Sequence, residues 1–201
     1  RTQMLGALTC VGRHPFSAQD LELLGALGDQ AAIAIENARL FQQVHVLSYT
    51  DPLTGLANRR QLERDIAREF AAARRGRMLV GVMFDLDRFK EYNDTYGHVA
   101  GDAALRAFGT VLARETRAMN LAARYGGDEF FVLLTDATEA DAAVFVQRVL
   151  SRYREEVRKL GHDGIEAAAG FAAYQHEMRS PEALIEAADR ALYESKRERS
   201  R

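Results

Sequence analysis

An apolar run at residues 78–84 constrains the fold more than any other segment of the chain. It is rich in β-forming residues and stops at Asp85, which predicts a buried central strand rather than a two-sided surface strand. Residues 121–134 follow the pattern of a hairpin with Gly126 and Gly127 at its turn, because paired glycines supply the positive φ angles of tight turns. The sequence therefore predicts a hairpin that pairs beside the first strand.

Helical patterns separate these β-segments. The predicted helices cover residues 58–75, 88–96, 99–119, 140–160 and 181–196, and one more strand covers residues 165–174 with an interruption at Gly170. This order predicts an α+β fold, an α/β sandwich in which helices flank a central, mainly antiparallel sheet.

Residues 17–47 predict one long helix that begins at an N-cap serine and contains no proline. Apolar residues recur in it every seven positions, which favours a parallel two-stranded coiled coil. The seam residues would be Ile33, Asn37, Leu40, Val44 and Leu47. The alternative is a helix that packs on its own domain.

Composition limits the classes of partner. The formal net charge is -2, with 27 basic and 29 acidic residues, so we expect no nucleic-acid partner. The one cysteine cannot close an intrachain disulfide, and the longest apolar run is far below the ~20 residues that cross a bilayer. These features predict a cytoplasmic chain with no membrane segment. Because the chain opens at Arg1 with a sequence that resembles the interior of a domain, we expect a fragment of a longer protein.

Four carboxylates are predicted to meet at one end of the sheet: Asp85 and Asp87 after the first strand, and Asp128 and Glu129 after the glycine turn. We expect only one of Asp85 and Asp87 to share a face with the hairpin acids, unless the strand has already ended. Clustered carboxylates favour Mg²⁺ or Mn²⁺, which usually arrive with phosphate. The alternative is that each acid is only a strand-end or turn residue.

Residues just after Asp87 suit a nucleotide. Lys90 falls in the first turn of a predicted helix, where free amide groups attract phosphate. Asn93 offers a donor and an acceptor, and Asp102 can accept from the N1 and N2 edge of guanine. Together they predict purine discrimination, although Asn93 could simply cap a helix and Asp102 could simply lie on the surface.

Residues 124–130, Arg-Tyr-Gly-Gly-Asp-Glu-Phe, contain the five-residue signature that names the GGDEF domains. Further segments resemble family motifs in the family's order. They are residues 51–60, 84–90, 93–98, 101–102 and 188–193. The resemblance covers about residues 48–196 and implies a nucleotidyl-cyclase-like fold.

The resemblance implies roles for individual residues. Asp85, the Leu86 carbonyl and Asp128 would hold the metal, with Glu129 close enough to assist. Asp128, Glu129 and Lys90 would be catalytic, Asp128 as proton acceptor and Lys90 by stabilising phosphate charge. The residues implied in substrate binding are Phe89, Asn93, His98, Asp102, Gly126 and Gly127. Asn93 and Asp102 would read guanine, and the glycines would let phosphates lie over the hairpin.

The activity that the resemblance implies is diguanylate cyclase. Two GTP molecules, one per protomer of a homodimer joined by the N-terminal helix, would give cyclic di-GMP and two pyrophosphates. The alternative is a catalytically silent module that binds GTP or cyclic di-GMP and signals through protein contacts. A cyclase that makes a mixed guanine-adenine product is less consistent with Asp102.

The resemblance also divides the chain into three parts. Residues 1–16 are similar to the terminal strand region of a truncated GAF sensory domain, residues 17–47 to a signalling helix, and residues 48–201 to the GGDEF domain. Many relatives carry an Arg-x-x-Asp product-inhibition site before the glycine turn. Here Arg117 is followed by Asn120 in place of aspartate, so we expect a weakened site, with Arg148 as a second cation. The alternative is that both arginines are only solvated helix residues.

Overall fold

The computed structural model describes residues 6–7, 9–11, 15–161 and 165–199, and in residues 38–48 it describes the backbone only. The chain divides into two compact units, Arg1–Ser48 and Tyr49–Arg201. We describe each unit separately.

Helix α1, Ala18–Tyr49, dominates the N-terminal region. Ser17 caps it, because the Ser17 Oγ accepts from the Asp20 amide at 3.2 Å and the Asp20 carboxylate accepts from the Ser17 amide at 2.8 Å. The predicted helix is confirmed. Large apolar side chains on it are exposed, among them Leu21, Leu27 and Ile33.

Two predictions for this region remain untested. Leu40, Val44 and Leu47 of the predicted seam lie outside the residues whose side chains are described. Most of residues 1–16 also lie outside the described part, and the described positions among them belong to no helix or strand. The coiled coil and the GAF-like segment therefore stay predictions. No helix in the described part of the chain is both long enough and apolar enough to span a bilayer.

The second unit is a five-stranded sheet covered by helices. Its elements are β1 Ala57–Asn58, α2 Arg59–Ala73, β2 Leu79–Asp87, α3 Phe89–Tyr96, α4 His98–Glu115, β3 Leu121–Gly126, β4 Glu129–Thr135, α5 Glu139–Arg158, β5 Glu166–Ala173 and α6 Pro181–Arg199. The strand order is β1-β3-β4-β2-β5, and only the β1–β3 pair is parallel. The predicted mainly antiparallel α+β sandwich is confirmed.

Strand alternation gives the sheet two apolar layers. Val82 and Phe84 of β2 pack in the layer that contains residues of α4 and α5, and Phe84 meets Phe108 edge-on at 5.5 Å. Leu79 and Met83 pack in the layer that contains residues of α2 and α6. Since side chains alternate along a strand, the odd-numbered residues at the end of β2 face the α2 and α6 side.

Several predicted boundaries were wrong. β2 does not stop at Asp85 but pairs with β5 as far as Asp87. α4 ends at Glu115 rather than residue 119, because Thr116 adopts an extended conformation. The two-residue strand β1 was missed because its stability comes from pairing with β3 and not from local pattern.

The sequence predicted that Gly170 would interrupt this strand, but β5 runs through Gly170 without a break. A Cβ at this position would overlap backbone atoms of Ala191 and Leu192 in α6. The glycine therefore allows α6 to approach β5 closely. Close approach of backbone, like a bulge, is a common reason for a glycine inside a strand.

Candidate active site

The register between β2 and β4 places Asp85 directly opposite Glu129. Opposed residues of an antiparallel pair have Cβ atoms about 4.5–5.5 Å apart, on the same face of the sheet. Asp87 follows two residues later and shares this face, because β2 continues through it. The expectation that only one of Asp85 and Asp87 faces the hairpin acids was wrong, since residues two apart in a strand point the same way.

Lys196 in the last turns of α6 is the cation of this carboxylate group. Its Nζ donates to Asp85 and lies 3.5 Å from Asp87 Oδ1. Arg199 adds a contact of 3.5 Å to Asp87. Sequence reasoning did not identify either cation. The signal that could have found them was the basic end of the last predicted helix.

Two acids in this group have a raised pKa, mainly because they are partly buried. Burial raises the pKa of Asp85, and the neighbouring Asp128 and Asp87 add to it, while the Lys196 hydrogen bond and charge partly oppose it. Burial also raises the pKa of Glu129, with contributions from Asp85, Asp128 and Asp189. Both carboxyls are therefore partly buried beside other acids and favour the protonated form more than a free carboxyl does, which is an environment that a bound cation would stabilise.

The hairpin turn consists of Gly127 and Asp128, not of Gly126 and Gly127. Gly126 ends β3 and pairs with Glu129, and only Gly127 has a positive φ, +52°. This is the pattern of a two-residue turn that needs positive φ at its first loop position. Asp128 is thus carried by the turn itself, immediately beside the strand residue Glu129.

Arg124 ties this turn to a distant segment of the chain. Its guanidinium donates twice to the Gly127 carbonyl, at 2.9 and 2.7 Å, and to both carboxylate oxygens of Asp51 at 3.2 Å. Asp51 also accepts from the Thr54 amide and hydroxyl, at 2.9 and 2.7 Å. Residues 51–54, which follow α1, are therefore linked to the turn by one side chain.

Hydrogen bonds decide the charge state of Asp51. Burial raises its pKa, but the two Thr54 hydrogen bonds and the Arg124 charge outweigh this effect, so the pKa lies below the ordinary value. The Asp51–Arg124 ion pair is thus formed over the whole range above mildly acidic pH.

Helices α3 and α4 carry the predicted substrate residues. Phe89 and Lys90 lie in the first turn of α3, as predicted, with Phe89 packed on the core and Lys90 exposed. His98 is the first residue of α4 and is exposed. Arg88, between β2 and α3, has a φ of +54°, so the chain turns sharply just after Asp87.

The Asn93 side chain packs against Gly101, the residue before Asp102. The Asn93 amide oxygen is buried without a hydrogen-bond partner and lies where a Cβ of residue 101 would be. Asp102 follows on α4, half exposed and 3.7 Å from Arg106. A buried acceptor without a partner costs about 1–3 kcal/mol, so packing holds the Asn93 amide in this position at a cost in stability.

The residues of the predicted inhibition site line a separate cavity of about 210 Å³. Asn120 does not face it as a free acceptor, because its Oδ1 accepts from the Thr135 amide at 3.0 Å and the Thr135 hydroxyl at 3.2 Å. Arg148 is paired with Glu115. Arg117 also lines the cavity, so the three residues are neighbours, but two of them are engaged within the protein.

Comparison with known proteins decides the family. The family described as diguanylate cyclase, GGDEF domain, matches residues 48–201, about three quarters of the chain. The chain belongs to this family.

Named relatives of the GGDEF domain include Diguanylate cyclase A of Treponema denticola, 31% identical over 191 residues that make up 91% of this chain and 50% of that protein. Diguanylate cyclase DosC of Escherichia coli K12 is 39% identical over 150 residues, 73% of this chain and 33% of that protein. The chain thus spans between a third and a half of the length of these curated relatives.

Solved structures of GGDEF domains have the same fold. The coiled coil and GGDEF domain of DgcB from Caulobacter crescentus, crystallised with c-di-GMP, aligns with a TM-score of 0.77 at 29% identity, over 87% of this chain and 94% of that one. Diguanylate cyclase SiaD from Pseudomonas aeruginosa, solved with its activator SiaC, aligns with a TM-score of 0.67 at 31% identity, over 90% and 69%.

The GGDEF domain has the donor types for a divalent ion but not a closed set of side-chain ligands. Across the described ranges, no group of three or more His, Cys, Asp or Glu side chains is close enough to hold a metal. Asp85 and Glu129 are opposed, Asp128 is adjacent, and the Leu86 amide bonds to the Asp128 carbonyl at 3.3 Å. Oxygen donors and mutual repulsion fit Mg²⁺ or Mn²⁺, and the assignment of individual ligands stays a prediction.

Proposed function

We propose that this chain is a diguanylate cyclase module that converts two molecules of GTP into cyclic di-GMP and two pyrophosphates. The observation that carries the proposal is the β2–β4 register, which opposes Asp85 and Glu129 beside the Gly127–Asp128 turn. The packing of Asn93 against Gly101, the residue before Asp102, is consistent with guanine as the base that these two residues would read. Membership in the GGDEF family supports the same reaction.

The reaction consists of the same step made twice. The ribose 3′-hydroxyl of one GTP attacks the α-phosphate of the other, a phosphorus–oxygen bond forms, and the bond to the β-phosphate oxygen breaks to release pyrophosphate. Asp128 accepts the hydroxyl proton, and the exposed Lys90 ammonium stabilises phosphate charge from the first turn of α3. Gly126 and Gly127 leave room for phosphates above the hairpin.

Mg²⁺ or Mn²⁺ is the proposed cofactor. Asp85, Glu129, Asp128 and the Leu86 carbonyl would hold it, and when bound it would neutralise phosphate charge and favour departure of pyrophosphate. In this structure Lys196 forms ion pairs with Asp85 and Asp87. Its ammonium would therefore remain near the carboxylates as a second positive charge while GTP binds.

A homodimer is the proposed active form, because each module supplies one GTP and the two reactants must face each other about a two-fold axis. The exposed apolar residues of α1 support pairing through this helix. Residues 1–16 are proposed to belong to a GAF-like sensory domain, and the cytoplasm is the proposed location of the module.

Incubation of the chain with GTP and Mg²⁺, followed by chromatography of the products, tests the proposal. We expect cyclic di-GMP and pyrophosphate in a ratio of one to two, and a loss of at least ~10²-fold in rate for Asp128→Ala with unchanged melting. Glu186→Ala, an exposed acid on α6, is the matched control and should be as active as wild type. GTP binding without product would instead support the silent module.

A further inference from the structure

Gly101 occupies an unusual place for a glycine, in the first turns of the eighteen-residue helix α4, with an otherwise regular backbone. Glycine is an unfavourable helix residue and is not needed here for a positive φ. It is buried, and the volume where its Cβ would lie is filled by the Asn93 amide group, with Phe89 Cζ at 3.2 Å. The Asn93 amide therefore occupies the space that a side chain at position 101 would need.

Two contacts hold Asn93 in this position. Its backbone carbonyl accepts from the Gly97 amide at 2.8 Å, which closes α3. Its side-chain oxygen is packed against Gly101, without a hydrogen-bond partner in the protein. The amide plane is thus fixed by packing rather than by a protein hydrogen bond.

A Cβ at position 101 would displace Asn93 rather than the helix. The overlapping atoms are the end of a flexible side chain, which can rotate away at small cost to packing. Asp102 would keep its place on α4, but the Asn93 amide would no longer pack against the residue before it. One of the two groups proposed to read the base would therefore be displaced while the fold is retained.

We propose that Gly101 is a positioning residue for guanine recognition, which sets the Asn93 amide beside Asp102 by offering no side chain of its own. This inference rests on the proposed function, since it assigns a cause to the base specificity of the same site. Gly101 touches no reacting atom, so the proposal concerns affinity and discrimination and not the chemical step.

The test is a double-mutant cycle with Gly101→Ala, Asn93→Ala and the double variant. We expect Gly101→Ala to raise KM and the calorimetric Kd for GTP about tenfold, with kcat changed less than about threefold, and to lower the preference for GTP over ATP in competition by a similar factor. In the Asn93→Ala background the glycine substitution should have little further effect, because the displaced group is already absent.

Gly81→Ala is the matched control. Gly81 is also a buried glycine whose Cβ would meet side chains, Phe131 Cζ at 2.7 Å and Leu184 Cγ at 3.2 Å, but it lies in β2 away from Asn93. We expect it to lower Tm and leave KM for GTP unchanged at temperatures well below the transition.

Each outcome decides the proposal. A folded Gly101→Ala protein with KM and Kd within about twofold of wild type, or effects of the two substitutions that multiply independently, overturns it. If Gly101→Ala does not fold, the double variant is compared with Asn93→Ala; equal GTP affinity supports the proposal, and an unfolded or weaker-binding double variant overturns it. Wild type that binds GTP but makes no product would refute the cyclase alone, and wild type that binds no GTP would refute both.

Discussion

The polar groups around the two ends of strand β4 differ in how far they are stabilised by partners within the protein. At its start, Asp85 of β2 and Glu129 face each other, and burial, with a smaller contribution from neighbouring acids, raises the pKa of both even though Lys196 bonds to Asp85. At its end, the Asn120 amide is bonded to Thr135, and Arg148 is paired with Glu115. The acids at the first end have raised pKa values, whereas the polar groups at the second end form hydrogen bonds and ion pairs that stabilise the fold.

This difference separates a site that a ligand would complete from one that is already satisfied. A cation at the first end would stabilise two carboxyls that are held at raised pKa, although it would share Asp85 with Lys196. A ligand at the second end must break the Asn120–Thr135 hydrogen bonds and the Arg148–Glu115 ion pair without such a gain. We therefore expect substitutions at the start of β4 to abolish activity at little cost to stability, and substitutions at its end to do the reverse.

Glu129→Gln should have the largest effect. The amide removes a charge from the crowded acids, so product formation should fall at least ~10²-fold, while the free energy of unfolding rises by a few tenths to about 1 kcal/mol. Rates at saturating Mg²⁺ and urea unfolding measure the two effects. A variant that is both less active and less stable would contradict the contrast between the two ends.

The pH dependence gives this prediction a sign. Because the folded-state pKa of Glu129 lies above 4.5, its folded carboxyl holds a proton at higher pH than the unfolded one does, and stability falls as pH rises through that window. Glu129→Gln removes this fall. Its stability advantage should thus be absent below the ordinary pKa and fully present at neutral pH.

Arg124→Ala should have the next largest effect, because it frees the Gly127 carbonyl and leaves Asp51 without its ion-pair partner. We expect about a 10- to 100-fold loss of activity from a displaced turn, together with ~1–3 kcal/mol of lost stability. Arg124→Lys should not restore either, since one ammonium cannot make the four contacts. Arg114→Ala, which removes an exposed pair with Glu156, is the control and should change neither.

Removal of residues 1–47 should lower activity per molecule about tenfold or more at low protein concentration, because the modules would then meet only by diffusion. Raising the concentration should restore the activity. Activity per molecule that does not depend on concentration, before or after truncation, would show that the helix has no part in pairing.

Asn120→Asp should have the smallest effect. Aspartate can accept from Thr135 as asparagine does, and it adds a charged oxygen toward the cavity with Arg117. We expect cyclic di-GMP to inhibit wild type weakly and Asn120→Asp up to about fivefold more strongly, or ~1 kcal/mol. Inhibition curves at fixed GTP measure this, and potent inhibition of wild type would show that position 120 does not limit binding.

The sequence was sufficient to predict what depends on pattern and motif. The buried strand β2, the hairpin, the helix that follows residue 58 and the mainly antiparallel sheet follow from periodicity and turn residues, and all were found. It was insufficient where distant segments meet. The pairing of Lys196 with Asp85 joins residues 111 positions apart, and no local pattern contains it.

Arg124 and Gly101 illustrate the same limit. Arg124 stood within the recognised motif, yet its bond to Asp51 depends on how residues 51–54 fold back. Gly101 was noted only as a neighbour of Asp102, because the volume that Asn93 fills exists only after α3 and α4 have packed. Sequence thus indicates which residues have suitable chemistry, and packing decides which of them cooperate.

The close approach of α6 to β5 at Gly170 has a genetic consequence. Every missense change of that codon adds at least a Cβ, which would collide with backbone atoms of Ala191 and Leu192. The helix would have to move, and Lys196, four residues further along α6, would move with it. A missense mutation at Gly170, in a strand that contributes no residue to the proposed site, would therefore produce a loss-of-function allele.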